Sequence, residues 1–477
     1  MSAIPEWALK YRQKGTQITE VNGHFYLYKV TSKWNKEKGR AQKITEGYLG
    51  KITPDGLIKP RAERAVETVM KKLRNVTVKE YGASFMLNHV APDIMELLRK
   101  HYGEWKEIFL FGALRLLHTT PIKNLEFYYE TSFLSEMLPD ADLSDRTVGQ
   151  LLREIGMDRN KMTEFMKNFV SGTEYAVIDL THVFSLSEGV ISSMLGHNSK
   201  REYLPQVNVL YLFSLDNMSP VYFRVLVGSV TSVSSVKLTM QESGAKNAVL
   251  IGDKGFYSKS NVEALEAERM HYILPLKRDS ALIDYGCVKE ELMEHFIFQG
   301  RPIWCHLEEG EGRRVFLFQD SFLKTEEEKD FLVRIEEGEE KGAKMKEFHS
   351  VRSRLGTIAA ITDLKEEGRK VYELLKARVE IEQLYDTFKN LLHADRTYMR
   401  DDYQMEGWMF VNFLAMMLYY RLYNELVGRD MLSKYSPKDV LEHLARVQKL
   451  KIGDEWVTTE IPKKSRVVIE KLKIPIT

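Results

Sequence analysis

From residue 15 to 60 apolar and polar positions alternate, the spacing of half-buried strands. ITEV and HFYLYKV flank Asn22-Gly23, a dipeptide that readily takes positive φ, so a hairpin is predicted there. Further turns are predicted near Lys38-Gly39 and at Pro54-Asp55-Gly56, which makes the stretch a small antiparallel meander. From 61 to 170 the spacing lengthens to three and four. APDIMELLRKHYG, EIFLFGALRLLH and LSDRTVGQLLREIG read as helices, the last with Ser144 as its N-cap and Gly156 as its stop. Ser144 to Val170 can be read as a helix-turn-helix, but the pattern suits a plain helical bundle better.

At Tyr175 the texture changes again. YAVIDLTHVF is a short apolar run that reads as a buried strand with Asp179 near its exit. QVNVLYLFSL and VYFRVLVGSV follow as strands, VSSVKLTMQESG as a helix, and NAVLIGDKGFYS as a strand ending in Asp253. SKSNVEALEAER is a helix and MHYILPLK a fifth strand. Three strands, helix, strand, helix, strand describe a mixed α/β sheet, antiparallel first and then crossing over in parallel. Between Asp279 and Ala360 this alternation gives way to the strand-like pieces HFIFQ, RPIWCHLE and RRVFLFQD. A charged run from Lys324 to Glu347 then reads as a solvated helix or hairpin arm. LGTIAAITDL is one more strand, and VYELLKARVEIEQLYDTFKNLL an amphipathic helix. WMFVNFLAMMLYY, interrupted by Asn412, is too short for a membrane span and reads as a buried core helix. Ser436-Pro437-Lys438-Asp439 is a well-formed helix start, and the residues after Trp456 form a mixed tail with no clear assignment.

Length and charge refine this outline. A chain of 477 residues suggests several structural units. Cys287 and Cys305 form no metal-ligand cluster, and the N-terminus has no apolar leader, so a reducing, cytoplasmic setting is expected. The net charge is only +1, yet it is polarised: residues 1–80 hold 17 Lys and Arg against 8 Asp and Glu. A basic end attracts polyanions, although a solvated surface has the same composition. For the meander, DNA contact and simple packing are equally compatible with the sequence.

Candidate chemistry centres on acids. At about 100° per residue, Arg378, Glu382, Tyr385 and Lys389 share one helix face, while Glu380 points away. Asp179 and Asp253 close apolar strands, and the ends of neighbouring strands are where open α/β sheets place their ligands. Three carboxylates without His or Cys suit Mg²⁺ or Mn²⁺. Each acid also has an ordinary reading: a turn cap at Asp179, an Asx-turn at Asp253, a surface ion pair at Glu382.

In this region the chain resembles the DDE transposases of bacterial and archaeal insertion sequences. The similarity is to the group with a ribonuclease-H-like core and a large β-rich insertion before the catalytic glutamate. Asp179-Leu180-Thr181 matches the first motif and Asp253-Lys254-Gly255-Phe256-Tyr257 the second. Arg378, Glu382 and Lys389 match the third, although Leu375 stands where that motif has tyrosine, with Tyr372 one turn earlier. Leu204-Pro205-Gln206 and the apolar helix after Gly407 are further points of likeness, within a resemblance running from Tyr175 to Tyr423.

The resemblance implies an enzyme that cuts element ends with two Mg²⁺ (or Mn²⁺) and passes the freed 3′-hydroxyl to target DNA. Asp179, Asp253 and Glu382 would be catalytic and hold the metals, while Arg378, Tyr385, Lys389 and Lys254 would bind DNA. Double-stranded DNA, as terminal inverted repeats and target, is the expected partner. A homodimer on paired ends is expected too, with no membrane and a nucleoid-associated cytoplasmic location. The expected fold is α/β, a ribonuclease-H-like mixed five-stranded sheet with a β-rich insertion, plus an N-terminal β-meander and a helical region. The expected domains are a basic β-rich 1–65, helical 66–170, a catalytic core of 171–278 and 361–430, the insertion 279–360 and a tail 431–477. The alternatives are a ribonuclease-H-like nuclease or resolvase that cuts without joining, and a domesticated, non-catalytic DNA-binding relative.

Overall fold

The computed structural model describes residues 4–73, 76–196, 204–228, 233–245, 248–288, 293–310, 312–338 and 341–476. It divides into two units, one of residues 1–79 with 449–459 and one of residues 80–448 with 460–477.

In the first unit, strands β1 (Thr16–Val21), β2 (His24–Asn35), β3 (Arg40–Thr53) and β4 (Gly56–Ile58) form an antiparallel meander in that order. Asn22 and Gly23 both take positive φ, 51° and 74°, the twist that a two-residue hairpin needs. Ala8, Phe25, Leu27 and Ile52 make its small core. A fifth strand, β5 (Thr77–Glu80), belongs to a separate three-stranded sheet completed from the far end of the chain.

The second unit is built on an eleven-stranded sheet. Its centre consists of β6 (Tyr175–Ser185), β8 (Pro205–Ser214), β9 (Ser219–Val227), β10 (Val249–Ile251) and β11 (Tyr272–Leu276), with the short β7 (Met194–Leu195) also on β8. The centre is ordered β9-β8-β6-β10-β11, antiparallel among β6, β8 and β9, and parallel from β6 through β10 to β11. This is the expected mixed sheet, with helices Val233–Ser243 and Lys259–Ala267 as the parallel crossovers. The insertion does not stand apart from it. Strands β12 (Glu294–Phe298), β13 (Arg301–Gly310) and β14 (Arg313–Asp320) continue the sheet outward, and β15 (Thr357–Thr362) stitches β14 to β11. The charged run folds as helices Ser321–Glu337 and Lys341–Val351, held by Ile335, Phe348 and Leu355; Glu339 and Glu340 lie outside the described residues. The two-residue β16 (Arg396–Thr397) pairs with the end of β6.

The helices of residues 80–170 pack with Asp402–Gly428, whose apolar middle is buried throughout. Helices Asp145–Met157 and Arg159–Val170 bury Leu151, Leu152, Phe165 and Met166, which is bundle packing. Gly156 is not a stop, because that helix runs on to Met157. A Cβ on Gly156 would collide with the Tyr403 carbonyl, and one on Gly407 with that of Leu152, so the two glycines let the helices cross in contact. Ser144 occupies the N-cap position, but its hydroxyl bonds Thr147 Oγ1 at 3.1 Å instead of capping the backbone. The tail is ordered. Its helix Pro437–Leu444 opens with the full Ser436–Asp439 capping box, and β17 (Gln448–Ile452) and β18 (Glu455–Thr458) complete the sheet of β5. Among the described residues no helix is long and apolar enough to cross a membrane.

Candidate active site

Strand register brings the two aspartates together. Val177 on β6 is the parallel partner of Ile251 on β10. Asp179 and Asp253 each lie two residues further on, so the pleat sends both from the sheet at one level. Asp179 is not at the end of its own strand as expected, because β8 pairs with β6 through Phe184 and keeps it extended to Ser185. It is β10 that stops, and its departure opens the space beside Asp179.

Asp179 is largely buried, and its carboxylate accepts the Leu180 N–H at 2.8 Å. Burial is the main cause of a carboxyl pKa pushed up to about 6. The Leu180 bond and Arg378 oppose that rise, and the charges of Asp253 and Glu382 add to it. Asp253 accepts the N–H of Lys254 at 2.5 Å and the Arg378 guanidinium at 3.0 Å. Glu382 lies 3.9 Å from the same Arg378 Nη2. Arg378 is thus a cation paired with Asp253 and Glu382 and close enough to Asp179 to stabilise its charge, with its side chain 19% exposed against 45% for Asp253 and 64% for Glu382. Its Nε is enclosed without a hydrogen-bond partner.

The helix that carries Arg378 and Glu382 differs from the single one expected. Segment Gly368–Ala377 meets Val379–Asp386 at Arg378, and a π-turn then widens the coil over Thr387–Leu391. The π-turn has a physical cause in the helical region: Thr119 Oγ1 donates to the Leu391 carbonyl at 3.0 Å, and the buried Arg115 guanidinium donates to that of Leu392. Arg115 also bonds the Thr120 carbonyl at 3.0 Å and the Asn412 side-chain oxygen at 3.3 Å, which explains the asparagine within an apolar run.

The expected shared face therefore divides. Arg378 and Glu382 reach the acids, but Tyr385 turns toward the sheet, its ring 6.1 Å from that of Tyr211 and its hydroxyl enclosed without a partner. That hydroxyl is not open to a DNA phosphate as expected; burial, then the nearby Asp179, pushes its pKa well up. Lys389 lies 5.9 Å from the Tyr385 ring, and Lys254 is exposed. Asp386 accepts from Asn390 at 2.5 Å, away from Arg378, and the side chain of Glu380 lies outside those described. Tyr372 does not replace the missing tyrosine, because it is buried against Phe296, Phe298 and Phe318.

Two neighbours escaped the sequence reading. Tyr211 is the cross-strand partner of Asp179, and the β-alternation marks it as inward without marking its proximity to an acid. Lys376 is half-buried with its pKa lowered, first by burial and in part by Arg301 and Lys254; only its place in the amphipathic helix could have suggested it.

Among the described residues no three His, Cys, Asp or Glu side chains converge closely enough to cage a cation. Asp179, Asp253 and Glu382 gather around Arg378 instead. The oxygen-only donor set, and the mutual repulsion that Arg378 relieves, still fit a hard divalent cation in the guanidinium's place.

Comparison with known protein families bears on this site. Residues 183–418 match the model of the transposase DDE domain, a span that includes Asp253 and Glu382 and begins just after Asp179. No curated protein matches the chain. Among solved structures, a cryo-EM structure of a piggyBac transposase synaptic complex with hairpin DNA is similar, with a TM-score of 0.41 and 11% identity, covering 72% of this chain and 70% of that one. Residues 183–418 thus carry a transposase DDE domain, the domain of DDE polynucleotidyl transferases.

Proposed function

We propose that this transposase serves an insertion sequence, cutting the element's terminal inverted repeats and joining the freed 3′-hydroxyl to target DNA. The observation that carries the reading is the lodging of Arg378 among Asp179, Asp253 and Glu382. These three acids would hold two Mg²⁺ or Mn²⁺ ions. Such a pair supplies charge stabilisation to the attacking and leaving oxygens of an in-line phosphoryl displacement.

The chain's own groups prepare the site for that chemistry. Asp179, enclosed beside Tyr211 and Tyr385, is the fixed end of the site, shielded from bulk water by the two rings. Glu382 is the exposed end and sits on a helix, where it can adjust. Arg378, once released from the carboxylates, has a fork of donors suited to a phosphodiester. Lys254 and Lys389 flank it as backbone contacts. A homodimer holding two ends, acting on nucleoid DNA in the cytoplasm, completes the proposal.

Asp253→Asn removes one of the two charges that Arg378 touches while preserving shape. It should abolish Mg²⁺-dependent nicking of DNA and leave metal-free duplex binding within about twofold, since a catalytic group is lost and no backbone-binding cation. Cleavage at the wild-type rate would sink the assignment. Cleavage without joining of pre-cut ends to target would instead favour a nuclease or resolvase.

A further inference from the structure

The β2–β3 hairpin reaches beyond the sheet that supports it. β1 pairs with β2 only as far as Lys29, and β4 with β3 only from Lys51. From Thr31–Ile44 to Asn35–Arg40 the two strands pair with each other alone, a ribbon of roughly 15–20 Å. Almost every residue from Ser32 to Tyr48 is exposed, so no core accounts for this length. The tip is nevertheless ordered. Asn35 Oδ1 accepts the N–H groups of Glu37 and Lys38 at 3.0 and 3.2 Å, and Gly39 turns the chain with φ 61°.

The ribbon's chemistry is one-sided. Lys33, Lys36, Lys38, Arg40 and Lys43 face only one carboxylate, Glu37, and among the described residues none of the five makes an ion pair. Register and pleat put Lys33, Asn35, Arg40 and Gln42 on a single face. Lys and Arg can pair with guanine in the major groove, which is wide enough for a two-stranded ribbon, and the Asn35 amide braces this face by donating to Gln42 Oε1 at 2.9 Å. The opposite face carries Trp34, which is 68% exposed beside the Lys43 position. An uncovered indole amid unpaired cations is a surface shaped for a partner, and its charge calls for a polyanion.

We infer that the β2–β3 ribbon is an arm that binds double-stranded DNA in the major groove, with the Lys33–Asn35–Arg40–Gln42 face toward the bases. The inference rests on the transposase reading for its choice of polyanion but not on the catalytic acids. It adds a DNA contact of its own to those at the site.

The test uses the full-length chain and a labelled mixed-sequence duplex of about 40 base pairs, a length of roughly four helical turns, with affinity measured by fluorescence anisotropy across a salt series. Lys33→Ala with Arg40→Ala should weaken binding about tenfold and lower the slope of log affinity against log salt by about 2, one for each lost cation. A control pair, Lys329→Ala with Lys346→Ala, removes two exposed lysines elsewhere and should leave both quantities as they were. Unchanged affinity and slope in the Lys33/Arg40 variant would overturn the arm, as would tighter arm-dependent binding to duplex RNA. Plasmid nicking in Mn²⁺, run in parallel, tells the two readings apart. An arm-dependent slope without nicking overturns the catalytic reading alone, and nicking with an arm-independent slope overturns the arm alone.

Discussion

Asp179 carries an energetic burden that its neighbours do not. Its carboxyl is buried and its pKa is raised to about 6 in the folded chain, above the ordinary 3.8 that it takes in the unfolded one. A raised acid favours the folded state while it is protonated, and that advantage fades as pH climbs through the folded value. At neutral pH the ionised Asp179 therefore costs about 3 kcal/mol relative to a neutral group. Asp179→Asn should melt at a higher temperature than wild type above pH 6.5, with the gain shrinking to nothing by pH 4. Thermal denaturation across that range reads the effect, and a constant offset at every pH would assign it to packing. A stability gain on deleting an acid marks a residue retained for a reason other than the fold. Asp179 and Asp253 stood out in the sequence as acids directly after apolar runs, whereas Glu382 stood out only through its helical spacing to Arg378 and Lys389. Tyr211 escaped that reading, and Tyr385 entered it as a DNA contact and not as a neighbour of Asp179, since neither alternation nor helical spacing tells which hydroxyl ends beside which carboxylate.

Among the elements, the helix pair around Arg378 and the π-turn after it depend on a distant anchor. Arg115 is 3% exposed, lies 4.5 Å from the Trp408 ring, and ties the end of the π-turn to helix Asp402–Gly428 through the Leu392 carbonyl and Asn412. Burial pulls its guanidinium pKa down to about 10, so it stays charged at neutral pH. Arg115→Met leaves buried acceptors unpaired at both Leu392 and Asn412 and should cost about 3 kcal/mol in urea denaturation. Nicking should fall along with stability, because Glu382 precedes the π-turn by one helical turn. A loss below about 0.5 kcal/mol would mean that the turn holds itself. A single straight helix was the natural reading of the sequence, and the extra residue in the coil could not be seen there, because its cause lies some 270 positions upstream.

For the whole molecule, the sequence showed the order of the strands and not where they attach. The alternation of strands and helices gave the five-stranded centre, since connection lengths alone decide which pairs run parallel. The insertion's strands were also visible, but their continuation of the same sheet was not, because it depends on β15 returning beside β11 after a long excursion. The tail could not be assigned because β17 and β18 find their partner in β5, near the other end of the chain. Pairings between distant segments leave no local periodicity to read.

The seat that Arg378 takes beside the acids would make the proposed cation entry an exchange. Asp179, Asp253 and Glu382 would release the guanidinium to a phosphodiester on holding a divalent ion, and would be open to that ion once a phosphodiester drew the guanidinium away. Reciprocity then requires the two affinities to rise by one common factor. Calcium titrated with and without duplex, and duplex titrated with and without calcium, should give the same ratio, about five- to a hundredfold. Arg378→Gln should bring that ratio close to one, whereas an undiminished ratio in the variant would show that the guanidinium takes no part in the exchange.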